Sequence, residues 1–221
     1  MCLQSICTCS SHHPNEASII HISSSVLRDF DHDLQYAKVY NQGFDPFPPD
    51  VGFNDGLSVP NADFVESLQC SAFCPFPVRA ELGGAAVLID DADSITLPHL
   101  AGEWKGPGKP LADATSQAAY NGAALVYGRN QALAYMGTAD PPGHTAVSTF
   151  TMDGTTVNFF SHYSGPSEEE EGRTDYHQYP MASTNLCNSF NDFKRGWMQL
   201  RNLQDNAKDE SYALRDRLVG H

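Results

Sequence analysis

Glu103 and Lys105 stand two residues apart, around Trp104 and just before Gly106-Pro107-Gly108. On a strand, alternate residues share a face. Glu103 and Lys105 then point one way, with His99 and Ala101 behind them. Trp104 and Leu100 point the other way, into a core. A carboxylate and an ammonium at the end of a strand are costly to bury. The arrangement becomes favourable if the carboxylate binds a hard cation and the lysine meets an attacking water or a phosphate. A Glu-x-Lys tripeptide alone is weak evidence, because an exposed strand face is its ordinary reading. Two further features add weight. Pro60-Asn61-Ala62-Asp63 opens an apolar segment forty residues upstream, and Gln117 and Tyr120 follow Lys105 on an Ala-rich stretch.

The elements that must position these residues are legible in outline. Residues 94–105 (SITLPHLAGEWK) form a strand between Asp90-Asp91-Ala92-Asp93 and Gly106-Pro107-Gly108. Residues 111–136 are Ala-rich, free of proline and closed by Gly137, which predicts a long helix. Its small residues Ala114, Ala118 and Ala132 would let it lie close on a sheet. Residues 145–152 and 155–163 flank Asp153-Gly154, a strong hairpin signal. Residues 175–183 add a further strand. Residues 188–218 carry Phe190, Phe193, Trp197, Leu200, Leu203, Ala207, Leu214 and Leu218, the spacing of a core-facing amphipathic helix. Upstream, residues 16–40 show a broken helical stripe that includes Leu27, Phe30 and Leu34. Residues 41–62 read as a Gly-, Pro- and Asn-rich loop. Ala85–Ile89 is a short apolar run, strand-like or the end of a helix. The order predicts an α/β or α+β core, one sheet with helices packed on it.

An acid at the start of one element, Glu-x-Lys on the next strand, then Gln and Tyr on the following helix resembles the PD-(D/E)xK nuclease superfamily. The Gln…Tyr pair is similar to its RecB-like branch, although the spacing between the two is one residue shorter here. From Phe53 to His221 the chain resembles a fungal nuclease-like domain of that superfamily. The likeness rests on FNDGLSVPNADFVESL, LPHLAGEWKGPGK, QAAYNGAALVYGRNQALAYMG, PPGHTAVSTFTMDGTTVNFFSHY, YHQYP and LRNLQDNAKDESYALRDRL. The resemblance implies an α/β, restriction-endonuclease-like core: a mixed central sheet flanked by helices, one domain over residues 16–221.

It implies catalytic roles for Asp63, Glu103, Lys105 and Gln117. Asp63 and Glu103 would hold Mg²⁺ or Mn²⁺, with the Trp104 carbonyl completing the metal shell. Lys105 would orient water or stabilise charge on the phosphate, and Gln117 would steady the site. Lys109 and Tyr120 would be substrate contacts. Two carboxylates suffice, because Mg²⁺ keeps waters and takes substrate oxygens. One departure is that Asn61 and Ala62 separate Pro60 from Asp63. Asp90 and Asp91 are the alternatives for that acid. Glu16 and Asp29 are the candidates for a further acid ahead of the sheet.

Other features read more plainly. Cys7, Cys9, His12 and His13 have the wrong spacing for a closed zinc site, and residues 1–15 are expected to be disordered. Cys70 and Cys74 read as buried structural thiols. His144, His162 and His177 read as structural, and Glu168–Glu171 as a solvated acidic turn. Gly106-Pro107-Gly108-Lys109 is not a P-loop. Lys194, Arg195, Arg201, Lys208, Arg215 and Arg217 read as the solvated face of the last helix rather than a nucleic-acid contact.

Charge constrains partners most. Thirteen Lys and Arg against 27 Asp and Glu leave −14 over 221 residues. Such a chain has no global attraction to nucleic acid. Binding of DNA or RNA must therefore come from a local site or from a protein partner. No apolar run is long enough for a spanning helix, so no membrane partner is expected. The start lacks a signal-peptide pattern, which predicts an intracellular protein, cytoplasmic or nuclear. A catalytically silent nuclease fold working as an interaction module, such as a fungal effector, is the alternative function.

Overall fold

The computed structural model describes residues 26–44, 46–89, 91–106 and 109–221. Six strands form one mixed sheet in chain order: β1 (Tyr36–Gly43), β2 (Asn61–Gln69), β3 (Ile95–Trp104), β4 (Val147–Met152), β5 (Thr156–Pro166) and β6 (Thr174–Asn185). Neighbouring strands run antiparallel except β3 and β4, which are parallel. A parallel pair needs a long crossover. A short helix α1 (Val78–Leu82) precedes β3, and the crossover is carried by α2 (Leu111–Tyr135). The closing helix is α3 (Phe190–Val219).

The coarse α/β expectation therefore holds, with helices on both faces of a mixed sheet. On one face, Val65, Ala101 and Val147 pack with Ala124, Leu125 and Val126 of α2. On the other, Phe64, Leu100, Trp104, Phe150 and Phe159 pack with Leu200 and Ala207 of α3. Fully burying a side chain such as Phe150 contributes about 2–3 kcal/mol. A third cluster closes one end, where Leu133 of α2 meets Leu214 and Leu218 of α3 over Phe73, Val87 and Leu97.

The small residues of α2 set its distance from the sheet. Ala114, Ala118 and Ala132 are fully buried. A Cβ on Gly122 would lie 2.2 Å from His162 Nδ1 on β5, so only glycine permits that approach. The outer side of α2 is covered as well. Phe47 packs on Tyr127, and Phe53 packs on Tyr120, Tyr127 and Tyr176. α3 starts at Ser189, whose hydroxyl accepts from the Asp192 N–H at 3.1 Å.

The N-terminal expectation fails where it can be checked. Residues 36–43 form β1 rather than the end of a helix, and Leu34, part of the apparent stripe, is 89% exposed. Pairing along β2, from Tyr36–Leu68 to Gly43–Asn61, outweighs a weak local helical period. Residues 85–89 form neither strand nor helix; Val87 makes a single bridge to Thr96. Cys70 is half-buried and Cys74 exposed, so they are not the buried thiols expected. Residues 1–25, with Glu16 and the Cys/His cluster, lie outside the described residues.

Candidate active site

The site is built where β2, β3 and α2 converge. The β2–β3 ladder pairs Phe64 with Gly102, which sets Asp63 opposite Glu103 on the next step. Residues directly opposite on antiparallel strands share a face, with Cβ atoms about 5 Å apart. Asp63 Oδ2 accepts the Trp104 N–H at 2.7 Å. That bond fixes the Asp63 carboxylate beside Glu103.

Glu103 is 2% exposed. Its Oε1 accepts from Asn121 Nδ2 of α2 at 2.6 Å. Burial, and then the negative charge of Asp63, push its pKa up to about 8; Lys105 and Asn121 oppose the rise only in part. Lys105 is half-buried, and its ammonium donates to Gln117 Oε1. Its backbone N–H holds the strand end to Met152 O at 2.9 Å.

One geometric match explains this pairing. Two residues of strand advance about 6.6 Å, and four residues of helix about 6 Å. Gln117 and Asn121, one turn apart on α2, therefore meet Lys105 and Glu103, two residues apart where β3 ends. The helix supplies two amides in register with the Glu-x-Lys pair. Burial supports the match: Asn121 is 4% exposed, among Ala118, Gly122, Ala124 and Leu125, which are buried with it.

Asp63, Glu103, Lys105 and Gln117 thus come together, while the other candidates do not. Tyr120 commits its hydroxyl to Ser58 O at 2.6 Å, tying the loop before β2 to α2. Lys109 is exposed ahead of α2. Asp91 sits in the turn before β3, at the opposite end of the strand from Glu103, where its Oδ1 accepts the Asp93 N–H. Asp90 lies outside the described residues. Asp29 pairs with Lys38 at 2.7 Å. Lys38 stands opposite Glu66, on the face of β2 that meets α3, so Asp29 is not a third acid for this site.

His99 also departs from the expected alternation. Leu97 takes a φ of +46° and the β2–β3 register shifts between Glu66 and Leu68. His99 is thereby placed between the two helices. Its Nε2 meets Arg129 Nη1 at 2.9 Å, and its Nδ1 meets Ser211 Oγ at 3.1 Å. Arg129 is clamped by Asp140 at 2.7 and 3.2 Å and by Glu210 at 3.3 Å. Burial, reinforced by Arg129, lowers the His99 pKa to about 3. The ring is therefore neutral and structural. His162, lowered to about 4 by burial, bonds Thr149 Oγ1 at 2.8 Å, and His177 stacks on Tyr163.

Sequence reasoning missed Asn121. Its signal was a polar residue one turn after Gln117, inside the run Ala118-Ala119-Tyr120-Asn121-Gly122-Ala123-Ala124. The buried Glu66–Gln204 pair on the α3 face was also missed, because nothing local in β2 or α3 points to it.

The chain matches no protein-family model, no curated protein and no solved structure. Among the described residues, no helix is long and apolar enough to cross a membrane.

Proposed function

We propose that this chain is a metal-dependent phosphodiesterase of nucleic acid, with a PD-(D/E)xK-type site on a restriction-endonuclease-like core. The observation that carries the reading is the cross-strand pair Asp63–Glu103 with Lys105 beside it, both strand residues held by amides of α2. Glu103, protonated near neutral pH by burial and by Asp63, is an acid that a cation would relieve. That is the fit expected of a hard-cation site. Asp63 and Glu103 would hold Mg²⁺ or Mn²⁺ together with the Trp104 carbonyl. Among the described residues no group of three or more His, Cys, Asp or Glu is poised for a metal, so waters and substrate oxygens would supply the other ligands.

When bound, the cation supplies Lewis-acid activation of the phosphate and of water. The chain's own residues do the rest. Glu103 would give up its proton to solvent in order to hold the cation. Lys105 presents its ammonium to the attacking water or to the charge growing on the phosphate, and Gln117 fixes its direction. Asn121 holds Glu103 in place.

The test is cleavage of plasmid, linear DNA and RNA with Mg²⁺ or Mn²⁺, beside a Glu103→Ala/Lys105→Ala control. Metal-dependent cleavage that vanishes in the control supports the enzyme and its site together. No cleavage by the folded protein on any substrate sinks the reading. The charge of −14 favours a second reading, a silent member of the same fold that binds a protein partner.

A further inference from the structure

Two adjoining clefts, of about 700 and 760 Å³, share Gly52, Asp55 and Arg173; the first lies on the outer side of α2, the second between the loop before β2 and the β5–β6 turn. The 700 Å³ cleft is walled by the half-buried rings of Phe53, Tyr120 and Tyr176. Phe53 stands edge-on to Tyr176 at 4.8 Å and to Tyr120 at 5.9 Å. The Tyr120 hydroxyl is tied to Ser58 O, so this wall is preformed. Arg173 bridges the β5–β6 turn to the loop before β2, donating to Gly52 O at 3.1 Å.

Asp55 and Asp175 line the aromatic cleft, and Asp50, Glu170 and Glu171 line the adjoining one with Asp55. Among the described residues, Arg173 is the only Lys or Arg lining either cleft, and it already sits 3.2 Å from Glu170 and 3.9 Å from Asp175. Asp50, Asp55 and Glu171 make no ion pair among the described residues. Aromatic walls with unneutralised carboxylates attract a cation and repel a polyanion. A planar guanidinium suits both features, because it stacks on rings and meets carboxylates in a fork.

We infer that this paired cleft is a docking site for an arginine-rich, extended segment of a partner protein, one guanidinium seated against Phe53 and Tyr176 and others along Glu170, Glu171 and Asp50. This surface does not depend on the nuclease reading; it adds a binding activity beside that site.

The experiment is fluorescence anisotropy with labelled peptides alternating Arg and Ser, read against the same peptide with citrulline, a neutral isostere, and with Lys. The Arg peptide is expected to bind best, citrulline to abolish binding, and rising salt to weaken it. Glu170→Lys/Glu171→Lys, at exposed positions, should weaken binding about tenfold. Tyr176→Ala should weaken it about threefold to tenfold and Tyr176→Phe should leave it intact. Asp209→Lys, an equal reversal of sign per residue on the exposed side of α3, should change it less than twofold. Four results would overturn the assignment: no binding of the Arg peptide, equal binding of the citrulline peptide, equal losses from Asp209→Lys and the Glu170/Glu171 change, or tighter binding of a single-stranded oligonucleotide that Tyr176→Ala removes. The last would give the cleft to nucleic acid.

Discussion

Glu103 and Glu66 sit on neighbouring strands, and each is held by one helix amide. Asn121 reaches Glu103 at 2.6 Å from α2; Gln204 reaches Glu66 at 2.8 Å from α3. Both carboxyls are raised to about 8, burial being the largest cause for each. Their surroundings differ. Glu103 faces a second acid, Asp63, with a lysine beside it. Glu66 faces Lys38, whose ammonium bonds Asp29, and its Oε1 is buried with no hydrogen-bond partner among the described residues. A raised pKa alone therefore does not mark a reactive site. A second carboxylate across the strand is what separates the two regions.

The largest expected effect breaks the symmetry directly. Glu103→Gln should lower metal-dependent cleavage by roughly 10³-fold or more, because it removes a ligand and a charge at once. Glu66→Gln should leave cleavage within about threefold of wild type. Equal losses from the two changes would show that burial, not position, governs activity.

Next is stability without metal, where the two regions should behave alike. A carboxyl whose folded pKa exceeds its unfolded value binds more protons in the native state. Its contribution is fully present below about 4.5 and is lost as pH rises through about 8. Replacement by Gln at either position should stabilise the metal-free protein, on the order of 2–4 kcal/mol at pH 9 and far less at pH 5. His99 and His162 act in the opposite sense. Their folded values lie below the ordinary 6.5, so stability falls as pH drops from 6.5 toward about 3–4. Urea melts at pH 5, 7 and 9 test both signs. A gain from Glu66→Gln that does not grow with pH would mean that this carboxyl is ionised in the fold.

Metal should then restore the difference. Mg²⁺ is expected to raise the melting temperature of wild type and of Glu66→Gln, but not of Glu103→Gln, with affinity increasing from pH 6 to 8 as Glu103 loses its proton. Asn121→Ala should weaken Mg²⁺ binding about 10–100-fold, as loss of a partner that orients a ligand does. Gln204→Ala should leave Mg²⁺ binding unchanged. Calorimetric titration reads both. The smallest effect is at Gln117, which is exposed. Gln117→Ala should cost less than about 0.5 kcal/mol of stability, while slowing cleavage about tenfold by freeing Lys105. An unchanged rate would remove Gln117 from the site.

Much of this was written locally in the chain. The strand carrying Glu103, the Ala-rich helix, the Asp153-Gly154 hairpin and the closing amphipathic helix follow from period, propensity and turn chemistry, because those are interactions over a few residues. Glu-x-Lys, Asp63 and Gln117 were visible as residue types at suggestive spacings. Tertiary pairing decided what the spacing left open. β1 replaced an apparent helix because a strand gains its bonds from a distant neighbour, β2. Asp63, rather than Asp91, joins Glu103 because the β2–β3 register sets them opposite. Asn121 enters because one helical turn matches two strand residues only when α2 lies close on the sheet, an approach that Gly122 permits. Local sequence fixes which way a side chain leaves its own element, but which carboxylates share a face across strands depends on a register set by the whole sheet.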